Sequence, residues 1–216
     1  MGSGCGGQPF RWTRQALAER AGRLAGGGRA ILGIAGAPGA GKSTLAAELA
    51  SALGAQRAVV VPLDGFHLAD EELRRLGRAD RKGAVDTFDG YGYLALMRRL
   101  GAVQDPVVYA PRFDRDRETA VAGAIAVPAT VRLVITEGNW LLDDADPWPA
   151  VRQLFTETWF VDVDQELRLR RLVRRHVSHG KGQLEAHAWA EGPDQRNAER
   201  ILSAASRADL RVRHDR

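Results

Sequence analysis

Residues Gly36 to Ser43 read GAPGAGKS, which fits the spacing G-x-x-x-x-G-K-[ST]. Each residue type there has a task in holding a polyphosphate. Gly36, Gly39 and Gly41 let the backbone turn with successive N–H groups facing inward, forming an anion nest. Ala37, Pro38 and Ala40 complete the loop. Thr44 carries it into a helix whose positive dipole end faces the same point. Lys42 brings a mobile charge for the β- and γ-phosphates, and Ser43 offers a hydroxyl to Mg²⁺. The ligands expected here are ATP and Mg²⁺.

Asp64 closes the apolar run VVVPLD. A carboxylate beside the γ-phosphate can accept the proton of an attacking alcohol. Binding Mg²⁺ through water, or capping the next helix, are its other readings. Glu137 closes another apolar run, VRLVITEG. A third group is RLRRLVRRHVSHGKG, which holds Arg168, Arg170, Arg171, Arg174, Arg175 and Lys181. Helical spacing puts several of these on adjacent turns. Such a helix can clamp phosphates as a lid, or simply be solvated. A guanine-reading Asn-Lys-x-Asp is absent, which argues against a GTPase. Motor ATPases pair two acids at a strand end, and here Glu137 stands alone. There is no nucleophile elbow and no Cys/His constellation for zinc.

The elements that must position these groups follow from the patterning. AILGIAG and AVVVPLD are continuous apolar runs flanking the helical KSTLAAELASAL. Strand, helix, strand without polar alternation is a βαβ unit in a sheet covered on both faces. In such sheets ligands bind at the carboxyl edge, where the loop and Asp64 would meet. VRLVITEG and ETWFVDVD read as two further core strands, and ADLRVRHD as a closing one. PVVYAPRFD and TAVAGAIAVP read as a small β excursion. Helices are expected from Phe10, over YLALMRRLG, over QELRLRRLVRRHVSHG and over GPDQRNAERILSAASRA. Short helices and a long loop lie between Asp64 and Tyr93. The 216 residues suffice for one α/β domain spanning 1–216, with a lid at about 165–192. Residues 1–8 are expected to be disordered.

The net charge is +4, and only Lys42, Lys82 and Lys181 are lysines. The arginines are spread and not interleaved with aromatics. An anionic small molecule therefore suits them better than nucleic acid. No apolar run reaches the roughly 20 residues of a membrane helix, and no signal pattern begins the chain. Cys5 is the only cysteine, which fits a reducing, cytoplasmic setting. A homodimer is compatible with the sequence, which does not set the oligomeric state.

GAPGAGKST, PLDGFH, DTFD, APRFDR, TEGNWLL and RLRRLVRRHV together resemble the uridine kinase, pantothenate kinase and phosphoribulokinase group of P-loop proteins. The resemblance runs from about Ile31 to Val212. With DQRNA, the last motifs are more similar to a bacterial subgroup labelled nucleoside/nucleotide kinase or sugar kinase. It implies an α/β P-loop NTPase fold in three layers, a parallel sheet flanked by helices, with a helical lid and a small β excursion. It also implies Asp64 as general base, Glu137 near Mg²⁺ or its waters, and Arg171 and Arg174 in the lid. Asp86 is implied as a ligand for acceptor hydroxyls, with Phe88 beside it. One segment departs from the group. Uridine kinases carry Tyr-Asp-Phe and then a histidine; this chain reads VYAPRFDRDRE. Tyr109 remains, while Arg112, Asp114 and Arg115 fill the region, which suits a polyol or an acidic acceptor. Pairing of Arg112 with Asp114 is the structural alternative. His67 and Trp140 are further candidates for acceptor contact, against satisfaction by neighbours and core packing. The expected activity is ATP-dependent phosphoryl transfer to a hydroxyl of a small metabolite, nucleoside or sugar-like. Pantothenate kinase-like activity and a non-enzymatic NTP-binding regulator are the alternatives.

Overall fold

The computed structural model describes residues 12–213. The expectations about residues 1–8, Cys5 and a helix start at Phe10 lie outside that range. The first helix, α1 (Arg14–Leu24), starts where Thr13 accepts a hydrogen bond from the Ala16 amide. A side-chain oxygen at this position satisfies an otherwise orphaned helical N–H.

Strand β1 (Ala30–Ala35) leads into helix α2 (Lys42–Leu53), and β2 (Ala58–Val60) follows. Helices α3 (Asp70–Arg75) and α4 (Gly90–Ala102) precede the hairpin of β3 (Val107–Asp114) and β4 (Thr119–Pro128). Then come β5 (Leu133–Gly138), α5 (Trp148–Arg152), β6 (Glu157–Asp162), α6 (Gln165–Ser178), α7 (Gln183–Glu191), α8 (Pro193–Ser203) and β7 (Leu210–Arg213). The main sheet has the order β2-β5-β1-β6-β7, with every neighbouring pair parallel. β3 and β4 form a separate antiparallel pair. Two helices went unread in the sequence. α5 is a single five-residue turn. α7 has only Ala186 and Ala190 buried, so it lacks a large apolar stripe.

Alternating residues of the sheet serve two cores, one on each face. Ile31, Val134 and Phe160 pack with Tyr93, Leu94 and Met97 of α4. Leu32, Ile34 and Trp159 pack with Leu17 of α1 and Leu45 and Leu49 of α2. Burial on both sides explains why β1 is apolar throughout and why β5 opens on Leu133, Val134 and Ile135.

One expectation about position is corrected. Asp64 does not end β2, which stops at Val60. Val61 still donates its amide to Ile135 O, but Pro62 has no N–H to continue the ladder. Asp64 sits instead in a 3₁₀ turn, Leu63–Phe66. That turn is wedged in place. A Cβ on Gly138 would lie 2.5 Å from Leu63 Cβ, and one on Gly65 would lie 2.6 Å from Pro111 O. Beneath it, Tyr93 donates to Thr136 Oγ1 at 2.6 Å and Thr136 donates to Val61 O at 2.7 Å.

Candidate active site

The β1–β5 register pairs Ile34 with Glu137 and Ala35 with Gly138. The end of β5 therefore lies beside the start of the glycine loop. Gly39 and Gly41 take positive φ, 82° and 97°, which L side chains adopt at a cost. Ala37 and Ala40 are buried within the loop, while Thr44 is exposed on the first turn of α2. α6 crosses over the loop so closely that a Cβ on Gly39 would meet Arg168 O at 2.9 Å.

Lys42 is buried, and its ammonium donates to Asn139 Oδ1 at 2.7 Å and Ala37 O at 3.2 Å. Burial pushes its pKa down, opposed by the carboxylates of Glu137 and Asp64. Ser43 Oγ donates to Glu137 Oε1 at 2.9 Å. Burial, then the nearby Asp64 charge, pushes the Glu137 pKa up. Asp64 Oδ2 accepts from Arg115 Nη2 at 3.0 Å. Lys42, Ser43, Asp64 and Glu137 all line one cavity of about 530 Å³. The spatial relation inferred for Lys42 and Asp64 from their sequence context is thus present.

The remaining candidates divide. His67 lines the cavity, with Nδ1 2.8 Å from Asp64 O. Phe88 is buried behind it, ring centroids 4.1 Å apart, and does not reach the cavity. Asp86 lies away from the cavity, held by Arg81 at 3.0 Å and Arg78 at 3.2 Å. Tyr109 and Arg112 are exposed on β3 and do not line the cavity; the register shift between Ala110 and Arg112 breaks the strand's alternation and leaves both on the outer side. Asp114 does not pair with Arg112; its carboxylate accepts from the amides of Asp116 and Arg117, building the hairpin turn. Trp140 is core, donating its indole N–H to Gly83 O at 3.1 Å.

In the lid, Arg171 Nη1 is 3.4 Å from Gly39 O and 3.5 Å from Ala40 O, at the edge of hydrogen-bond range. Arg174 is exposed on the outer side of α6 beside Val173 and Val177. Arg175 lines the cavity instead. The reason is helical phase. Arg168 and Leu172 are the buried stripe, and position 175 falls seven residues after 168, back on that face.

The sequence reading also passed over Asn139 and Lys82. Asn139 stood two places after Glu137 in a motif already noticed, and its value lay in reaching Lys42. Lys82 pairs with Asp70 at 2.8 Å across the cavity wall, a contact with no local sequence signal.

The residues present fit Mg²⁺. A hydroxyl and a carboxylate in contact at the mouth of an anion nest are hard oxygen donors. Among the described residues no cluster of three or more His, Cys, Asp or Glu could hold a metal by itself. Magnesium needs none, since it takes most of its ligands from phosphate and water.

Residues 31–188 match the Phosphoribulokinase / Uridine kinase family. The chain belongs to that family. Among its relatives, the "Putative uridine kinase C227.14" of Schizosaccharomyces pombe is 34% identical over 168 residues, 74% of this chain and 72% of that one. The "Uncharacterized protein YggC" of Escherichia coli is 30% identical over 85% of this chain and 77% of its own length. A solved structure, the "putative fructose transport system kinase" of Silicibacter sp. TM1040, superposes with a TM-score of 0.84 at 39% identity, covering 93% of this chain and 98% of that one. YFH7 of Saccharomyces cerevisiae superposes with a TM-score of 0.83 at 17% identity over 95% and 100%, which shows the shared fold. This family member is an ATP-dependent kinase with the parallel, helix-flanked sheet of P-loop kinases. Among the described residues, no helix is long and apolar enough to cross a membrane.

Proposed function

We propose that this kinase transfers the γ-phosphoryl group of ATP to a hydroxyl of a small polyhydroxylated metabolite, with Asp64 as general base. The observation that carries the reading is the shared cavity of Lys42, Ser43, Asp64 and Glu137. The new bond joins the acceptor oxygen to the γ-phosphorus, and the bond to the β–γ bridging oxygen breaks. The acceptor proton passes to an Asp64 carboxylate oxygen, and ADP leaves. Lys42 exchanges Asn139 and Ala37 for phosphate oxygens. Ser43 and Glu137 would hold Mg²⁺, which neutralises charge on the phosphates when bound. Arg171, beside the glycine loop, and Arg175, which lines the cavity, stabilise charge spreading over the transferred group. The chemistry is mainly positioning and charge stabilisation in a site that the lid shields from water.

The acceptor side of the cavity supports a sugar-like molecule. Lys82, Asp70 and Glu118 alternate donors with acceptors around the Phe113 ring. Such an arrangement reads hydroxyl groups, and the Phe113 ring already carries the Lys82 ammonium over it. The fructose label of the 39% identical relative leans the same way. The test is ADP formation with ATP–Mg²⁺ and a panel of sugars, polyols and nucleosides. Acceptor-dependent ADP that drops by about a hundredfold or more in Asp64→Asn is expected. Turnover that ignores both the acceptor and that substitution would instead favour an NTP-binding regulator.

A further inference from the structure

Arg115 is the first residue after β3, at the turn of the hairpin, and it faces the cavity. Its placement is built rather than incidental. Asp114 accepts from the Asp116 and Arg117 amides at 3.0 and 3.1 Å, which fixes the turn around it. On the far side of the turn, Lys82 donates to Glu118 O at 3.3 Å. Midway along β3, Pro111 O lies against Gly65, in the same 3₁₀ turn that holds Asp64. One side of the hairpin therefore rests on the base's own turn, and its tip sends a guanidinium back to the carboxylate at 3.0 Å. The charge of Arg115 is also felt at Lys42 and Glu137, on the cavity they share.

We propose that Arg115 holds the catalytic carboxylate of Asp64 until an acceptor arrives, and so lets the enzyme select an alcohol over water. This rests on Asp64 being the base. With ATP bound and no acceptor, water fills the cavity. An unrestrained carboxylate beside the γ-phosphate would take a proton from water while the water oxygen bonds to phosphorus and the bridging bond breaks. ADP and phosphate would be released to no purpose. Ion pairing occupies Asp64 Oδ2 and ties the carboxyl group to the hairpin, which makes it a poorer base for water. The side chains are 47% and 30% exposed, so the pair is weak enough for an entering ligand to exchange. A guanidinium has five N–H donors, and one is on Asp64. The hydroxyls of a polyhydroxylated acceptor take up the others and draw Arg115 off the base. Binding of the correct acceptor and release of the base thus become one event. The residue acts through Asp64 and is a positioning residue.

The test uses the full chain with ATP–Mg²⁺ and no acceptor, measuring phosphate release. Arg115→Met is expected to hydrolyse ATP about fivefold faster than the wild type. Arg115→Lys, which keeps a cation on the same turn, is expected to stay near the wild-type rate. Asp64→Asn combined with Arg115→Met is expected to remove the gain. Hydrolysis unchanged in Arg115→Met, with a native melting temperature, overturns the proposal. So does a gain that persists without the Asp64 carboxylate. If Asp64→Asn abolishes acceptor-dependent transfer while Arg115→Met hydrolyses no faster, this inference alone fails. If Asp64→Asn still phosphorylates an alcohol, the base assignment fails, and this inference with it.

Discussion

Lys42 Nζ lies 2.7 Å from Asn139 Oδ1, a contact joining the start of α2 to the residue just beyond β5. The two are 97 positions apart, and β5 is the strand that pairs with β1. A buried ammonium needs partners whether or not phosphate is present. Asn139 and the loop's own Ala37 carbonyl supply them when it is absent.

Asn139→Ala removes one of these two partners. The nucleotide-free protein is expected to lose about 1 kcal/mol of stability. Phosphate replaces the missing partner, so saturating ATP should narrow the gap to the wild type. Urea melts with and without ATP measure both. An equal loss in the two conditions would show that Asn139 does not serve Lys42 specifically.

Gly39→Ala tests the closeness of lid and loop. The residue has φ 82°, and the added carbon would lie 2.9 Å from Arg168 O and 3.0 Å from Leu172 Cγ. Left-handed backbone costs about 1–2 kcal/mol for alanine, and overpacking adds about 1–3. A stability loss of about 2 kcal/mol or more is expected, together with weaker ATP binding by isothermal titration. Loss of stability without loss of ATP affinity would separate the packing from the nest.

Arg200→Met tests how the segment after β5 is held. Asp143 is 4% exposed and accepts two 2.7 Å hydrogen bonds from Arg200 of α8. The substitution strands a buried carboxylate. Because Arg200 is itself half exposed, the expected loss is about 1–3 kcal/mol. The double variant Asp143→Asn with Arg200→Met should recover part of it, since no charge is then stranded. Chemical denaturation of the three variants gives the comparison.

His67 predicts an acid limit to stability. Burial between Phe88 and Phe113 pushes its pKa down, and its Nδ1 faces Asp64 O. As pH falls, the unfolded chain takes up the imidazole proton first, near pH 6.5, while the folded protein resists. Its contribution is therefore whole above that range and fades as pH drops toward the lowered value. His67→Asn should flatten the stability–pH slope below about pH 6.5 by up to one proton. An unchanged slope would place the acid sensitivity elsewhere.

Much of this was legible in the chain. The glycine loop, its flanking strand and helix, and the apolar runs of β5 and β6 depend on local pattern, and they stand where the pattern put them. Asp64 was found through its neighbours in sequence, although the strand before it ends earlier than its apolar run suggests. The acceptor side was read poorly. Tyr109, Arg112 and Asp114 were chosen by position in a motif. A register shift in the strand turned the first two away, and the turn consumed the third. Arg174 was chosen over Arg175 by likeness to a motif, where helical phase gives the opposite preference.

By itself the sequence determined that a polyphosphate nest exists and that a helix start and buried strands support it. Those features are encoded by residues adjacent in the chain, where glycine torsions and burial periodicity act. Only the tertiary structure decided which charges surround the nest: Asn139 on Lys42, Glu137 on Ser43, Arg115 on Asp64. Each of these pairs joins segments 51 or more positions apart. Sheet register and the packing of a turn bring them within 3 Å, and no local pattern records that distance.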